Sequence, residues 1–127
     1  MLEGERYLSL ATFRRDGRAV ATPIWFAADA GGALYAFSAG DAGKVKRLRN
    51  SPRARVAACD ARGRVHGEWR EARAYLVNDS AQRVRADELL HAKYGWQMWL
   101  ADAGSRLTGR HAKRAYLRIE PAPLPAG

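Results

Sequence analysis

Two short, glycine-bearing turns in the first 32 residues limit what this chain can become. Arg15-Asp16-Gly17-Arg18 and Ala28-Asp29-Ala30-Gly31-Gly32 separate three runs rich in β-branched and aromatic residues: Tyr7–Phe13, Ala19–Phe26 and Leu34–Ser38. Asp-Gly and Gly-Gly between such runs are hairpin signals, and connections this short join antiparallel neighbours. Three antiparallel strands are expected before any helix. Pro23 constrains the second of them, because a residue without an N–H cannot serve a ladder in mid-sheet. That strand belongs at an edge or is irregular there, with backbone groups left for a flat ligand.

After Ser38 the pattern changes. A glycine-rich loop, Ala39–Gly43, leads into a short helix that starts near Gly43 and stops at Asn50-Ser51-Pro52, and a strand Arg53–Cys59 follows. The loop and first helical turn carry backbone N–H groups without intrahelical partners, which is the raw material of an anion site. Between Asp41 and Arg55 stand six cations against one anion. Only four of the 22 cations in the chain are lysines, and two of these, Lys44 and Lys46, lie in this stretch. A compact ammonium at a helix start suits a phosphate oxygen, whereas a solvated helix face accounts equally well for Lys46.

The remainder reads as more strand and helix. Asp60-Ala61-Arg62-Gly63 is a turn, Val65–Val77 a long strand, and Asn78-Asp79-Ser80 a capping cluster for a helix through about Tyr94. In that helix Ala86, Leu89, Leu90 and Tyr94 share one face. Gly95 ends or bends it, and the stretch Trp96–Gly104 forms a second helical piece with Trp96 and Trp99 on one side, packed on the sheet or on a subunit partner. A strand within Arg110–Glu120 closes the chain, and Pro121, Pro123 and Pro125 leave the tail 121–127 irregular. The expected fold class is α+β, mainly β: six antiparallel strands closed as a small barrel or sandwich, with two or three flanking helices.

At 127 residues one domain is expected, and no apolar run approaches the ~20 residues that cross a bilayer. The N-terminal MLEGERYL lacks a signal-peptide pattern, so a cytoplasmic location is expected. Cys59 is the only cysteine, read as a small packed strand residue with no disulfide and no zinc pattern. The net charge of +9 fits either nucleic acid or a groove for a polyanionic cofactor. Reactive machinery is scarce. Glu68 and Glu71 point to opposite faces of a strand, and His66, His91 and His111 show no metal-ligand spacing, so no metal and no catalytic side chain are assigned. An anion site without such machinery is what a protein shows when its cofactor carries the chemistry.

The succession Thr22-Pro23-x-Trp25, Leu34-Tyr35-x-Phe37-Ser38, and Gly43-Lys44-Val45-Lys46-Arg47-Leu48-Arg49-Asn50-x-Pro52-Arg53 resembles the split β-barrel flavoproteins related to pyridoxamine-phosphate oxidase. More narrowly, with Cys59–Trp69, it is similar to the small actinobacterial branch of deazaflavin (coenzyme F-420)-dependent reductases. The resemblance spans residues 5 to 77 well and the last third loosely. It implies a six-stranded split barrel and a homodimer with the cofactor between subunits. It also implies a phosphate held where the third strand ends and the helix begins, at Ser38, Gly43, Lys44 and Arg47, with Phe37 among the cofactor-binding residues. The ring would lie beside the second strand, at Val20, Thr22, Pro23 and Trp25. Relatives often carry Ser-Arg/Gln-Lys before the helix. This chain has Ala42-Gly43-Lys44, which favours the deazaflavin, with its oligoglutamate tail over Lys46, Arg49 and Arg53, above FMN. The second subunit would add cations from Arg106, Arg110, Lys113, Arg114 and Arg118. The implied reaction is hydride transfer from the reduced cofactor to an unsaturated small molecule. FMN or haem in the same fold, and a nucleic-acid-binding barrel or cofactor carrier without catalysis, stand as alternatives; nucleic acid is the less favoured partner, and no membrane span is expected.

Overall fold

The strand that carries Pro23 organises the architecture. In the computed structural model, which describes residues 2–109 and 113–123, this segment bends at Trp25 and pairs on both sides of the bend. Following a 3-10 turn at Leu2–Gly4, strand β1 (Tyr7–Phe13) pairs antiparallel with β2 (Ala19–Ile24), placing Pro23 opposite Ser9. Strand β3 (Phe26–Ala28) pairs instead with β4 (Leu34–Ala39). Helix α1 (Gly43–Asn50), β5 (Arg53–Cys59), β6 (Arg70–Leu76), α2 (Ser80–Tyr94), α3 (Trp96–Leu107) and β7 (Arg114–Pro121) complete the order. The sheet runs β2-β1-β5-β6-β7-β4-β3, antiparallel throughout. Its two edge strands are thus neighbours in the chain, joined by Trp25 alone, and this continuity curls the sheet into a half-barrel. The expected six strands become seven because the Pro23 strand is divided. Pro23 sits on an edge strand, where its missing N–H costs no ladder bond.

Alternation sorts the side chains. Leu8, Leu10, Ile24, Phe26, Val56 and Leu117 fill the interior, together with Leu34 and Ala36. Tyr35 and Tyr116 point outward into a second apolar layer with Ala86, Leu90, Tyr94 and Met98 from α2 and α3. Each large side chain so buried contributes about 1.5–3 kcal/mol relative to exposure. Helix α1 closes one end of the barrel. Its Val45 and Leu48 are buried, and Leu48 joins the interior cluster. Asp79 caps α2 by accepting from the Ala81 N–H, and Gly95, at φ 58°, separates α2 from α3. Tyr94 fixes the bend in the chain: its hydroxyl accepts from the Phe26 N–H at 2.9 Å and donates to the Arg6 carbonyl at 2.8 Å. Burial pushes its pKa up to about 12.

Four expectations need correction. The strand expected over Val65–Val77 is only Arg70–Leu76. Val65 makes an isolated bridge to Cys59, and the His66 N–H reaches the Ala58 carbonyl. Gly67 then crosses β5 so closely that a Cβ would lie 3.2 Å from that of Ala58. Glu68 therefore precedes the strand, and Glu71 pairs with Arg55 at 2.9 Å. Of the two settings expected for Trp96 and Trp99 the sheet is excluded and the subunit partner is left: they are 70% and 66% exposed, because Met98 and Asp102 turn the opposite side of α3 inward. The last strand extends through Pro121, whose partner is Ala72 at the end of the ladder. Arg110, His111 and the tail beyond residue 123 lie outside the described residues. Cys59 is buried as expected, and no described helix is long and apolar enough to cross a membrane.

Candidate functional site

The N-terminus of α1 lacks the groups that normally complete a helix start. Its cap residue, Ala42, offers no side-chain acceptor, and the first turn holds no acidic residue. Cations gather there instead. The Arg47 side chain folds back so far that a Cβ on Gly43 would lie 2.8 Å from one guanidinium nitrogen, and its Nε donates to Thr12 Oγ1 at 2.6 Å. Thr12 is fully buried. Burial, and then the charge of Arg47, lowers the Lys44 pKa below the usual lysine value. Burial, and then Arg14, lowers that of Arg47. Three cations thus converge on the positive end of a helix dipole, where cations are disfavoured and anions favoured. Glycine at position 43 leaves Arg47 room for this conformation.

Strand β2 lies alongside. Val20 is the register partner of Thr12, placing it beside the residue that anchors Arg47. Thr22 shares the inward face of β2 with Ile24, and its hydroxyl oxygen is buried without a hydrogen-bond partner among the described residues. Ser38, buried on the inward face of β4, lies one residue before the end of the strand that leads into the loop. Val20, Thr22, Ser38, Gly43, Lys44 and Arg47 are thus associated with the barrel end that α1 closes. Pro23, Trp25 and Phe37 occupy the other face. Trp25 stacks on Tyr94, with ring centres 4.7 Å apart, and meets Phe37 edge-on at 6.3 Å. Both are half-buried at the margin of the layer beneath the helices.

Thr12 and Arg14 escape sequence reasoning. Arg14 only extends a strand end in the sequence, and a lone threonine carries no signal; the strand register alone brings Thr12 to Arg47. A polar cluster behind Phe37 was equally hidden. The carboxylate of Asp102, on the inward side of α3, accepts from Arg114 at 2.7 Å and contacts His91 Nε2 at 2.7 Å. His91 Nδ1 faces the Asp87 carbonyl at 2.7 Å, and Asp87 accepts from the Tyr116 hydroxyl. The Arg114 guanidinium also lies 4.2 Å from the centre of the Phe37 ring. Asp87, His91 and Asp102 approach closely enough to suggest a metal site, but Arg114 already supplies positive charge to Asp102.

Both ring nitrogens of His91 face acceptors, so only the imidazolium satisfies them together. Burial opposes that charge, but the Asp87 carbonyl and the Asp102 carboxylate outweigh it and raise the pKa above the usual histidine value. The resulting stability is fully present below the unfolded value of about 6.5 and is lost as pH rises through the folded pKa. Thermal melts are expected to fall progressively above about pH 6.5, and His91→Gln to flatten that slope. An unchanged slope in the variant would remove His91 from the account.

Comparison with known proteins agrees with this architecture. Among solved structures the chain is similar to a conserved hypothetical protein of Mycobacterium tuberculosis, at 18% identity and a TM-score of 0.66, covering 99% of this chain and 87% of that one. It is also similar to the heme storage protein HutZ of Vibrio cholerae, at 16% identity and TM-score 0.69, over 94% and 84% of the two chains. A FAD-binding protein of Mesorhizobium loti aligns at 23% identity and TM-score 0.61, over 96% and 83%. A search of curated proteins finds no match. These identities bear on the fold alone, whereas the sequence profile described as pyridoxamine 5'-phosphate oxidase matches residues 1–122, nearly the whole chain. This chain therefore belongs to the pyridoxamine 5'-phosphate oxidase family.

Proposed function

We propose that the chain is an oxidoreductase that binds coenzyme F-420, a deazaflavin, by its phosphate at the N-terminus of α1. The observation carrying this reading is the uncapped, acid-free helix start with Arg14, Lys44 and Arg47 around it. A phosphate there would accept from the Gly43 and Lys44 N–H groups and from both side chains, relieving the repulsion among the cations. Ser38 would add a hydroxyl. The ring would lie along the free edge of β2, beside Val20, Thr22 and Pro23, where Thr22 holds an unpartnered hydroxyl. Trp25 and Phe37 would form the wall behind it, and Lys46, Arg49 and Arg53, all exposed, would receive the anionic tail.

When bound and reduced, the deazaflavin supplies hydride to an unsaturated small molecule. The protein's part is to position both and to provide an electropositive setting for developing negative charge. The Tyr94 hydroxyl is committed to the backbone of Phe26 and Arg6, so the accompanying proton is assigned to solvent or to another tyrosine. We read the active form as a homodimer. Leu100 and Leu107 lie with Trp96 and Trp99 on the outward face of α3, an apolar surface that a second subunit would cover.

Titration with F-420 and with FMN, followed by fluorescence polarisation, tests this reading. Lys44→Ala is expected to weaken F-420 binding by about 10- to 100-fold, the worth of a charge-assisted phosphate contact. Arg62→Ala, on the exposed β5–β6 turn, is expected to leave it nearly unchanged. Equal effects would reduce Lys44 to ordinary surface charge. Binding of FMN alone would give the same cradle to the other flavin, and DNA binding with a steep salt dependence and no cofactor would sink the proposal.

A further inference from the structure

The two flanks of α1 carry different sets of cations. Lys44 and Arg47 lie on the side of Thr12 and β1. Arg49 lies on the other side of the buried Val45–Leu48 stripe and lines two adjoining cavities there. One, of 250 Å³, runs between α1, the start of α2 and the start of β7, with Arg83, Asn78 and Tyr116 in its wall. The other, of 610 Å³, runs between the Ala39–Asp41 loop and the end of α3. Both include Gly40, Arg49 and Lys113. Arg83 is held in place, since its guanidinium donates to the Arg114 carbonyl at 3.3 Å and lies 5.1 Å from the centre of the Tyr116 ring. Among the described residues Asp41 is the single carboxylate in either wall. Neither Arg49 nor Lys113 has an ion-pair partner among the described residues. A cation near a helix C-terminus accounts for Arg49 alone. It does not account for the convergence of Arg49 from α1, Arg83 from α2 and Lys113 from just before β7 around one concavity, an arrangement that focuses positive potential.

We propose that this groove is a second anion site, distinct from the α1 N-terminus, and that it takes a ligand bearing a phosphate or pyrophosphate group. Arg114 also lines the smaller cavity but is neutralised by Asp102, so three cations against one carboxylate leave an excess matching a dianion. The Arg83 fork and the Asn78 amide supply directional donors, and the exposed ammonium of Lys113 supplies a point charge. The groove shares Arg49 with the surface proposed for the cofactor's anionic tail, but Arg83 and Lys113 lie outside that surface, and inorganic pyrophosphate tests the groove without any cofactor.

Isothermal titration with inorganic pyrophosphate at low ionic strength separates the two sites, with circular dichroism confirming the fold of each variant. The wild type is expected to bind two equivalents, Arg49→Gln/Lys113→Gln one, and Lys44→Gln/Arg47→Gln one. If the Arg49/Lys113 pair leaves stoichiometry and affinity unchanged, the groove is not a site. If Arg62→Gln lowers binding as much as that pair does, the effect is diffuse surface charge and the proposal is overturned. A single equivalent abolished by the Arg49/Lys113 pair and untouched by the Lys44/Arg47 pair would uphold this groove while removing the phosphate cradle.

Discussion

Asp102→Ala is expected to destabilise the fold by about 3–5 kcal/mol, read as a lower denaturant midpoint at unchanged slope. The reason lies with its partner. The Arg114 side chain is 3% exposed, and one guanidinium nitrogen donates to Asp102 at 2.7 Å. It also meets the Ser105 hydroxyl at 3.1 Å, the Tyr116 side chain and the face of Phe37. Removing the carboxylate leaves a buried guanidinium with no counter-charge among the described residues, and it also strips His91 of the acceptor at Nε2. Breaking one half of such a pair costs far more than the intact pair contributes, because the pair itself offsets two desolvation penalties. Asp102→Ala/Arg114→Met is therefore expected to be more stable than Asp102→Ala. A double variant no more stable than the single would show that the loss arises from α3 packing and not from an orphaned charge.

Much of the fold was legible because local signals and tertiary demands agree. β1 and β5 run over the residues expected, as does α2 behind its Asp79 cap. In each, alternation or helical spacing coincides with a turn or capping residue at the boundary. The errors fall where tertiary geometry decides. Nothing in Ala19–Phe26 announces a bend at Trp25: the bend exists because the barrel must close, and Tyr94, 68 residues further on in the chain, supplies the hydroxyl that holds it. Likewise Val65–Trp69 looks like strand, yet Gly67 crosses over Ala58 instead of extending the ladder.

The candidate site divides along the same line. The cations and glycines around Lys44 were visible because they crowd into a single stretch of chain. Their convergence with Thr12, Arg14 and Val20 was not, since it requires the β1–β2 register and the closure of the barrel by α1. The spacing rule applied to the histidines looks only along the chain. His91 and Asp102 are eleven residues apart on two helices, and it is the turn at Gly95 that folds one toward the other.

Two glycine substitutions are expected to act in opposite directions. Gly40 adopts no unusual backbone angle, yet a Cβ there would lie 2.1 Å from the Lys113 carbonyl oxygen and 3.3 Å from its carbon. Both atoms are backbone, so no side chain can rotate away. The strands themselves must part where Ala39 pairs with Arg114, next to the Asp102–Arg114 pair and at the floor of the Arg49–Lys113 groove. Gly40→Ala is expected to cost about 1–3 kcal/mol or more, as overpacking does when nothing yields, and to weaken pyrophosphate binding at that groove. Gly104 lies inside α3 with open space around its Cβ position. Gly104→Ala removes backbone freedom from the unfolded chain at no steric cost, and is expected to raise stability by about 0.5–1 kcal/mol. Paired unfolding curves decide the matter. If Gly40→Ala were as stable as the parent, β4 and β7 would not approach each other as closely as the fold requires, and the groove they help define would lose its floor.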